Sequence, residues 1–247
     1  MEEQIREFAQ MIKKCENIVF FGGAGVSTES GVKDYRSRDG LYNTVKEYGV
    51  SPEEILSHSF FFEHTDIFYD FYRKYFIADV LPNDAHKALA RLEERGKVKA
   101  VITQNIDGLH QKAGSKNVFE LHGTASEFYC TECKRAVDGA IEQIKVGKIP
   151  KCEHCGGLAK PKVVLYQEML DEDVIGKSIE YISNADMLIV GGTSLAVSPA
   201  NTFVRYFNGK YVVMINMSAT DYDKNADLII RESIGKTFAE TMKILGI

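Results

Sequence analysis

Four cysteines constrain this chain more than any other feature. They stand as Cys130-x2-Cys133 and Cys152-x2-Cys155, with 18 residues between the two pairs. Each CxxC pair can form a tight knuckle that brings two sulfurs to one metal, and two knuckles give the four thiolates that tetrahedral zinc prefers. Gly156-Gly157 follows the second pair, where a knuckle needs permissive backbone. Two disulfides would instead suit a secreted chain, and a thioredoxin-like redox pair would need a CxxC in a βα context. His154 lies between the two ligands of the second knuckle and is poorly placed to replace a cysteine. Four thiolates leave no open coordination position, so the predicted zinc holds a lobe together rather than acting on a substrate.

The remaining bulk properties narrow the class. A chain of 247 residues accommodates one large domain with an inserted lobe, or two modest domains. The start, Met1-Glu2-Glu3-Gln4, is acidic where a secretory signal is basic. No apolar run approaches the roughly 20 residues of a membrane span. The expectation is a cytoplasmic protein with no membrane partner. A net charge of −5 argues against a nucleic-acid surface and suits a lysine-rich protein partner.

Periodicity predicts an α/β fold. Ile5, Phe8, Ile12 and Cys15 share one helical face, and residues 17–21 read as a buried strand running into Gly22-Gly23-Ala24-Gly25. Further strands are predicted at 98–103, 118–121, 162–166, 186–190, 211–215 and 227–230. Helical patterns at 84–95, 171–183 and 234–245 alternate with several of them, which implies a parallel sheet covered on both faces. Residues 32–81 hold no good strand and are rich in aromatics, among them Tyr42, Phe61, Phe68 and Tyr72, read as the core of a small helical module.

Polar turns follow several strands. Gly23-Ala24-Gly25-Val26-Ser27-Thr28 fails the dinucleotide fingerprint at its third place, where Thr28 stands, and no ribose acid follows about 20 residues on. Alone it reads equally as a nucleotide loop or a tight turn. Gly191-Gly192-Thr193-Ser194 and Asn216 close two other strands, which raises the nucleotide reading, because such folds bind ligands at the carboxyl ends of parallel strands. Gln104-Asn105-Ile106-Asp107 and Leu121-His122-Gly123 close two more. A histidine presented to a cleft by a turn is well suited to proton transfer near neutrality.

Together these segments resemble the sirtuin family. The matching pieces are Gly23 to Ser27 with Gly31 and Asp34-Tyr35-Arg36, Thr103 to His110, Leu121-His122-Gly123, the four cysteines, Gly192-Thr193-Ser194-Leu195 and Asn216. The resemblance implies a Rossmann-like parallel-sheet domain with an inserted small lobe of helical module plus zinc ribbon. It places the large domain at 1–31, 82–123 and 161–247, the cofactor loop and helical module at 32–81, and the zinc ribbon at 124–160. It implies NAD as co-substrate and acetyl-lysine proteins or peptides as partners. Ala24, Thr28, Tyr35 and Arg36 would line the loop over NAD, and Gln104, Asn105, Ile106 and Asp107 the ribose and nicotinamide pocket. Thr193, Ser194, Asn216 and Ile234 would hold phosphates and adenosine. The implied catalytic residues are His122 and Asn105. In that chemistry the acyl oxygen attacks the nicotinamide ribose, nicotinamide leaves, and His122 acts as general base on a ribose hydroxyl. The peptide would add as a strand between 163–167 and 195–197, with Val164 and Tyr166 near the acyl-lysine.

Some positions depart from the family. Lys33 stands where Pro is usual, Tyr35 where Phe is usual, and Gln167 where Gly is usual beside Glu168. The Tyr-x-x-Arg pair of sirtuins that prefer acidic acyl groups has no match, since Arg73 follows Asp70 and Tyr72 precedes Tyr75 by three places. Acetyl and neutral acyl groups are therefore expected. An ADP-ribosyltransferase or NAD glycohydrolase on the same scaffold is the alternative, opposed by Asn105, Asp107 and His122. A zinc-ribbon nucleic-acid module would need a basic surface, and a dehydrogenase would have no use for the cysteine ribbon.

Overall fold

The protein is described by a computed structural model covering residues 1–32, 45–77 and 79–247. Tyr35, Arg36, Lys33 and Tyr42 lie outside the described residues. Helix α1 (Glu2–Lys14) buries Ile5, Phe8 and Ile12 and carries Glu2 and Glu3 in its first turn and Lys13 and Lys14 in its last, matching the helix dipole. It feeds β1 (Ile18–Gly22), every residue of which is buried. Short helices α2 (Val45–Tyr48), α3 (Pro52–Ile55) and α4 (His58–Glu63) follow. Ser51 and Ser57 cap the last two by accepting from the N–H groups of Glu54 and Phe60. Helix α5 (Thr65–Tyr75) buries Phe68, Tyr69, Phe71 and Tyr72.

The chain then alternates as the pattern predicts. Asn83 caps α6 (Asp84–Glu94), and β2 (Val98–Thr103), α7 (Leu109–Ala113) and β3 (Val118–Glu120) follow. Next come β4 (Gly123–Cys130), α8 (Ala140–Lys145) and β5 (Ala159–Val163). The chain closes with α9 (Glu172–Ser183), β6 (Met187–Gly191), β7 (Tyr211–Ile215), β8 (Leu228–Ile230) and α10 (Ile234–Leu245).

Six strands form one parallel sheet in the order β3-β2-β1-β6-β7-β8. On one face Phe8, Phe20, Leu89 and Phe238 pack in a single core, with Phe238 edge-on to Phe8 at 5.7 Å and to Phe20 at 6.2 Å. On the other face Val19, Phe21, Ile102, Leu188 and Phe203 do the same. Removing one such ring costs about 3–5 kcal/mol. The strand order reverses between β1 and β6, so a crevice opens there beyond the carboxyl ends of the strands.

A third core joins the aromatic helices to the cysteine-bearing segment. Phe61, Phe68, Phe71 and Tyr72 pack with Phe128, Cys130, Ala159 and Val163. The Tyr72 hydroxyl donates to the Ala125 carbonyl at 2.6 Å, and the Tyr69 hydroxyl to that of Ala159. Phe60, Phe61, Phe68, Tyr69, Phe71 and Tyr72 are thus core, as the sequence predicts, whereas Phe62 is exposed.

Two expectations change. The predicted strand at 162–166 is displaced: β5 ends at Val163 and runs antiparallel to β4, outside the parallel sheet. Gly123 permits this crossing, because a Cβ there would lie 1.9 Å from the Lys162 carbonyl oxygen. Residues 195–197, expected to be extended, form a bend instead. Leu195 is left-handed at φ 53°, held by Leu195 N–H to Thr193 Oγ1 at 3.1 Å and by Asn201 Nδ2 to the Leu195 carbonyl at 3.0 Å.

Candidate active site

The two glycine turns meet at the crevice. The Gly25 N–H donates to the Gly192 carbonyl at 2.8 Å, and a Cβ on Gly25 would lie 2.8 Å from the Gly192 Cα. Gly192 is itself left-handed at φ 61°. The glycines after β1 and β6 are therefore required by the close approach of one turn to the other. Asn216, after β7, locks the second turn from below: its Oδ1 accepts from the Thr193 N–H and its Nδ2 donates to the Thr193 carbonyl, both at 3.0 Å. Gln104 Nε2 reaches Thr193 Oγ1 at 3.2 Å, tying in the turn after β2. A cavity of about 280 Å³ is lined by Gly25, Thr28, Thr193, Ser194, Asn216 and Ile234. Two carboxylates on the same wall, Glu29 and Glu232, were not singled out by sequence. Ala24 is half-buried in the first of two 3₁₀ turns after β1.

Deeper in the crevice, Ser27 joins the first turn to the Gln-Asn-Ile-Asp segment. Its buried hydroxyl donates to Asp107 Oδ2 at 2.7 Å and accepts from Asn105 Nδ2 at 3.0 Å. Asp107 Oδ1 accepts from the Leu109 N–H at 2.9 Å, fixing the carboxylate at the start of α7. His86 Nε2 lies 3.5 Å from Ser27 Oγ, and the His86 ring packs 4.6 Å from that of His110. Burial lowers His86 to about 4, with Asp107 opposing, and lowers His110 to about 3, so both imidazoles are neutral at pH 7. Ile106 turns toward the aromatic core, and its carbonyl accepts from the Ala125 N–H at 2.9 Å.

His122 stands at the end of the turn after β3. Its Nδ1 is 2.9 Å from the Gln104 carbonyl, which can only accept, so Nδ1 carries the hydrogen and the basic lone pair belongs to Nε2. The His122 carbonyl accepts from the Val164 N–H at 2.9 Å, which places the 163–167 edge directly beside it. Two residues before His122, burial raises Glu120 to about 7. Along the edge the Leu165 N–H is taken by Glu168 and the Tyr166 N–H by the Leu56 carbonyl. No hydrogen bond among the described residues uses the Val164 carbonyl or the Gln167 N–H. Val164 is half-buried and Tyr166 is exposed.

The four cysteines converge as predicted. The Sγ atoms of Cys130, Cys133, Cys152 and Cys155 all lie within 4.8 Å of one another. Cys130 and Cys155 are 3.4 Å apart and Cys133 and Cys152 3.7 Å, beyond disulfide length and close to the ~3.8 Å edge of a tetrahedron with Zn–S of about 2.3 Å. A Cβ on Gly157 would sit 2.8 Å from Cys130 Sγ, so that glycine makes room for the cluster. The set fits a closed structural zinc site, remote from His122 in function because it offers no free coordination position.

Comparison with known proteins decides the lineage. The model of the Sir2 family matches residues 23–199. An NAD-dependent protein deacetylase of Clostridium acetobutylicum is 53% identical over 235 residues, covering 95% of this chain and 96% of its own. One of Clostridium perfringens is 52% identical over 244 residues, covering 98% and 100%.

The chain belongs to the Sir2 family.

Solved Sir2 structures agree with this. A Sir2 enzyme described for its mechanism and regulation superposes with a TM-score of 0.89 at 36% identity, covering 99% of this chain and 100% of its own. A Sir2 complex with a p53 peptide and NAD+ gives 0.85 at 34%, covering 98% of each. Another Sir2 structure carries acetylated peptide. Within this Sir2 chain, Ser27 and His86, like Glu29 and Glu232, belong to the candidate site and were passed over by sequence reading. Ser27 lay inside the recognised glycine segment as a bystander, and His86 sits on a helix 59 positions away. Only the contact between the two turns reveals either one.

Proposed function

We propose that His122 is the general base of this enzyme, with Asn105 beside it. Ala24, Thr28, Gln104, Ile106, Asp107, Thr193, Ser194, Asn216 and Ile234 take the NAD, and the 163–167 edge takes the acyl peptide. The reaction is NAD-dependent protein-lysine deacetylation. NAD would supply an electrophilic ribose carbon with nicotinamide as leaving group, and with one water consumed after nicotinamide has left the products are free lysine, nicotinamide and O-acetyl-ADP-ribose. His122 Nε2 removes a proton from a ribose hydroxyl, and the Gln104 carbonyl at Nδ1 supports the imidazolium that forms. Asp107 and Asn105, pinned by Ser27, hold the nicotinamide end, and the packed turns exclude water. The Asn216 amide is spent on the Thr193 N–H and carbonyl, and the Thr193 hydroxyl on Gln104 and Leu195, so the part of both residues is to hold the turn that takes the phosphates.

The observation that carries the reading is the position of His122, with its tautomer set by Gln104 and its own carbonyl bonded to the Val164 N–H of the peptide edge. The edge offers a peptide the Val164 carbonyl and the Gln167 N–H, with Tyr166 exposed beside them. Zinc belongs to the lobe containing the cysteines, which we take as 124–160 beside the helical module at 32–81, with the remainder as the NAD-binding domain. Four reduced thiolates favour the cytoplasm. No helix among the described residues is long and apolar enough to cross a membrane. The test is mass spectrometry of NAD reactions with acetylated, butyrylated and succinylated peptides. O-acetyl-ADP-ribose from the acetyl peptide supports the reading, and free ADP-ribose with intact acetyl-lysine contradicts it.

A further inference from the structure

The peptide edge is attached to the helical module by two neighbouring side chains, and one of them stands in a backbone conformation that asks for glycine. Gln167 has φ 77°, in the left-handed region that side chains rarely adopt. Its amide compensates by clasping one residue of α4 at both ends. Gln167 Oε1 accepts from the Ser59 N–H at 3.0 Å, and Gln167 Nε2 donates to Ser59 Oγ at 3.1 Å. The Ser59 N–H belongs to the first turn of α4, where helix N–H groups have no partner within the helix, so Gln167 satisfies one of them.

Glu168 anchors the same place from the other side. Its Oε2 accepts from Lys160 Nζ at 3.0 Å and from the Leu165 N–H at 2.9 Å, and its Oε1 lies 2.9 Å from His58 Nδ1. Lys160 is 3% exposed and also donates to the Val163 carbonyl at 2.9 Å, so the edge is bonded at its base to a buried cation. Burial works against the Glu168 carboxylate, but the bonds from His58, the Leu165 N–H and Lys160 outweigh it and keep it ionised. Main-chain bonds complete the seam: the Tyr166 N–H donates to the Leu56 carbonyl and the His58 N–H to that of Tyr166.

We propose that Gln167 is a positioning residue for the acyl peptide: by clasping Ser59 it fixes the left-handed turn that presents the Gln167 N–H and the Val164 carbonyl to the incoming chain. This rests on the reading that 163–167 is the peptide edge. A glycine at 167 would adopt the same φ without strain but would leave the turn untethered, so the ordering would fall on peptide binding. The side chain is thus a specificity-independent aid to peptide affinity, separate from the NAD pocket.

The experiment uses the whole enzyme with an acetylated peptide. Steady-state kinetics are measured for the parent, Gln167→Gly and Ser59→Ala, varying peptide and NAD separately, with amide hydrogen exchange of 163–168 with and without peptide. The expected result is a rise in peptide KM of about fivefold in Gln167→Gly and a smaller rise of about twofold in Ser59→Ala, with KM for NAD unchanged. Exchange at 163–168 slows on peptide addition in the parent. Ser59→Ala leaves the left-handed backbone untouched, so it makes the test even if the glycine variant folds poorly. Protection in the parent with unchanged peptide KM in both variants overturns the positioning role alone. Absence of protection in the parent overturns the reading of the edge and the proposal with it.

Discussion

Ser27 and Asp107, 80 residues apart in sequence, are joined by a 2.7 Å hydrogen bond that closes the turn after β1 onto the turn after β2. The same hydroxyl accepts from Asn105, so one serine positions both polar side chains that the proposed function assigns to the nicotinamide end. Ser27→Ala leaves Asn105 Nδ2 and Asp107 Oδ2 each short of a partner. An unmade bond of this kind costs about 1–3 kcal/mol. Nicotinamide exchange and deacetylation are both expected to fall at least about tenfold, with zinc content unchanged. Parental exchange in the variant would show that Ser27 does not organise the pocket.

The cysteine cluster predicts a graded response. Cys130 is fully buried in the third core, whereas Cys155 is exposed. Metal binding at such a site is part of the folding free energy. Cys130→Ala should therefore lose zinc and thermal stability together, and more severely than Cys155→Ala. Metal analysis and thermal denaturation read both. Full stability in a zinc-free Cys130→Ala protein would show that the metal does not hold the lobe.

Local patterns carried much of this into the sequence. Strands 98–103 and 211–215 and the helix at 234–245 end where periodicity places them, because continuous apolar runs and capped amphipathic faces are local signals. The CxxC spacing carried the metal cluster for the same reason. β4 was not legible, because Gly-Thr-Ala-Ser-Glu gives no alternation, and its pairing with β5 depends on a glycine tolerated only at that crossing. The bend at Leu195 depends on side chains of Thr193 and Asn201. The contacts of Ser27 with His86 and Asp107, and of Gln167 with Ser59, join partners distant in sequence, which no local pattern encodes.

The helical module bears on acyl choice. Arg73 is engaged by Asp70, which also accepts from the Tyr48 hydroxyl at 2.7 Å, and the Tyr72 hydroxyl is committed to Ala125. Among the described residues of the module, neither Arg73 nor Tyr72 is therefore available to hold a carboxylate. kcat/KM for acetyl-lysine is expected to exceed that for succinyl-lysine by at least about tenfold, roughly 1.4 kcal/mol in transition-state binding. Equal or faster desuccinylation would assign the carboxylate to another cation.

The buried histidines set an acid limit. His86 and His110 are held near 4 and 3 by burial, below the ordinary 6.5, so between those values the unfolded chain binds protons that the folded chain does not. Stability should therefore fall as pH drops below about 6.5, by up to about 1.4 kcal/mol per pH unit for each histidine. Glu120, raised by burial to about 7, acts in the opposite direction between 4.5 and 7. His110 has no hydrogen-bond partner on either ring nitrogen among the described residues, so His110→Phe keeps a ring in the core and removes its titration. The slope of stability against pH between 6.5 and 4.5 should be shallower in that variant. An unchanged slope would place the acid sensitivity elsewhere.

The most direct measurement follows labelled nicotinamide exchange into NAD and lysine deacetylation side by side in His122→Ala and Asp107→Ala. In the proposed mechanism His122 acts after nicotinamide has left, whereas Asp107 acts before, and loss of a general base commonly costs about 10²–10⁴-fold. His122→Ala should lose most deacetylation while keeping NAD binding and some peptide-dependent exchange, and Asp107→Ala should lose both activities together. Deacetylation by His122→Ala at near the parental rate would make His122 a structural residue and contradict the account.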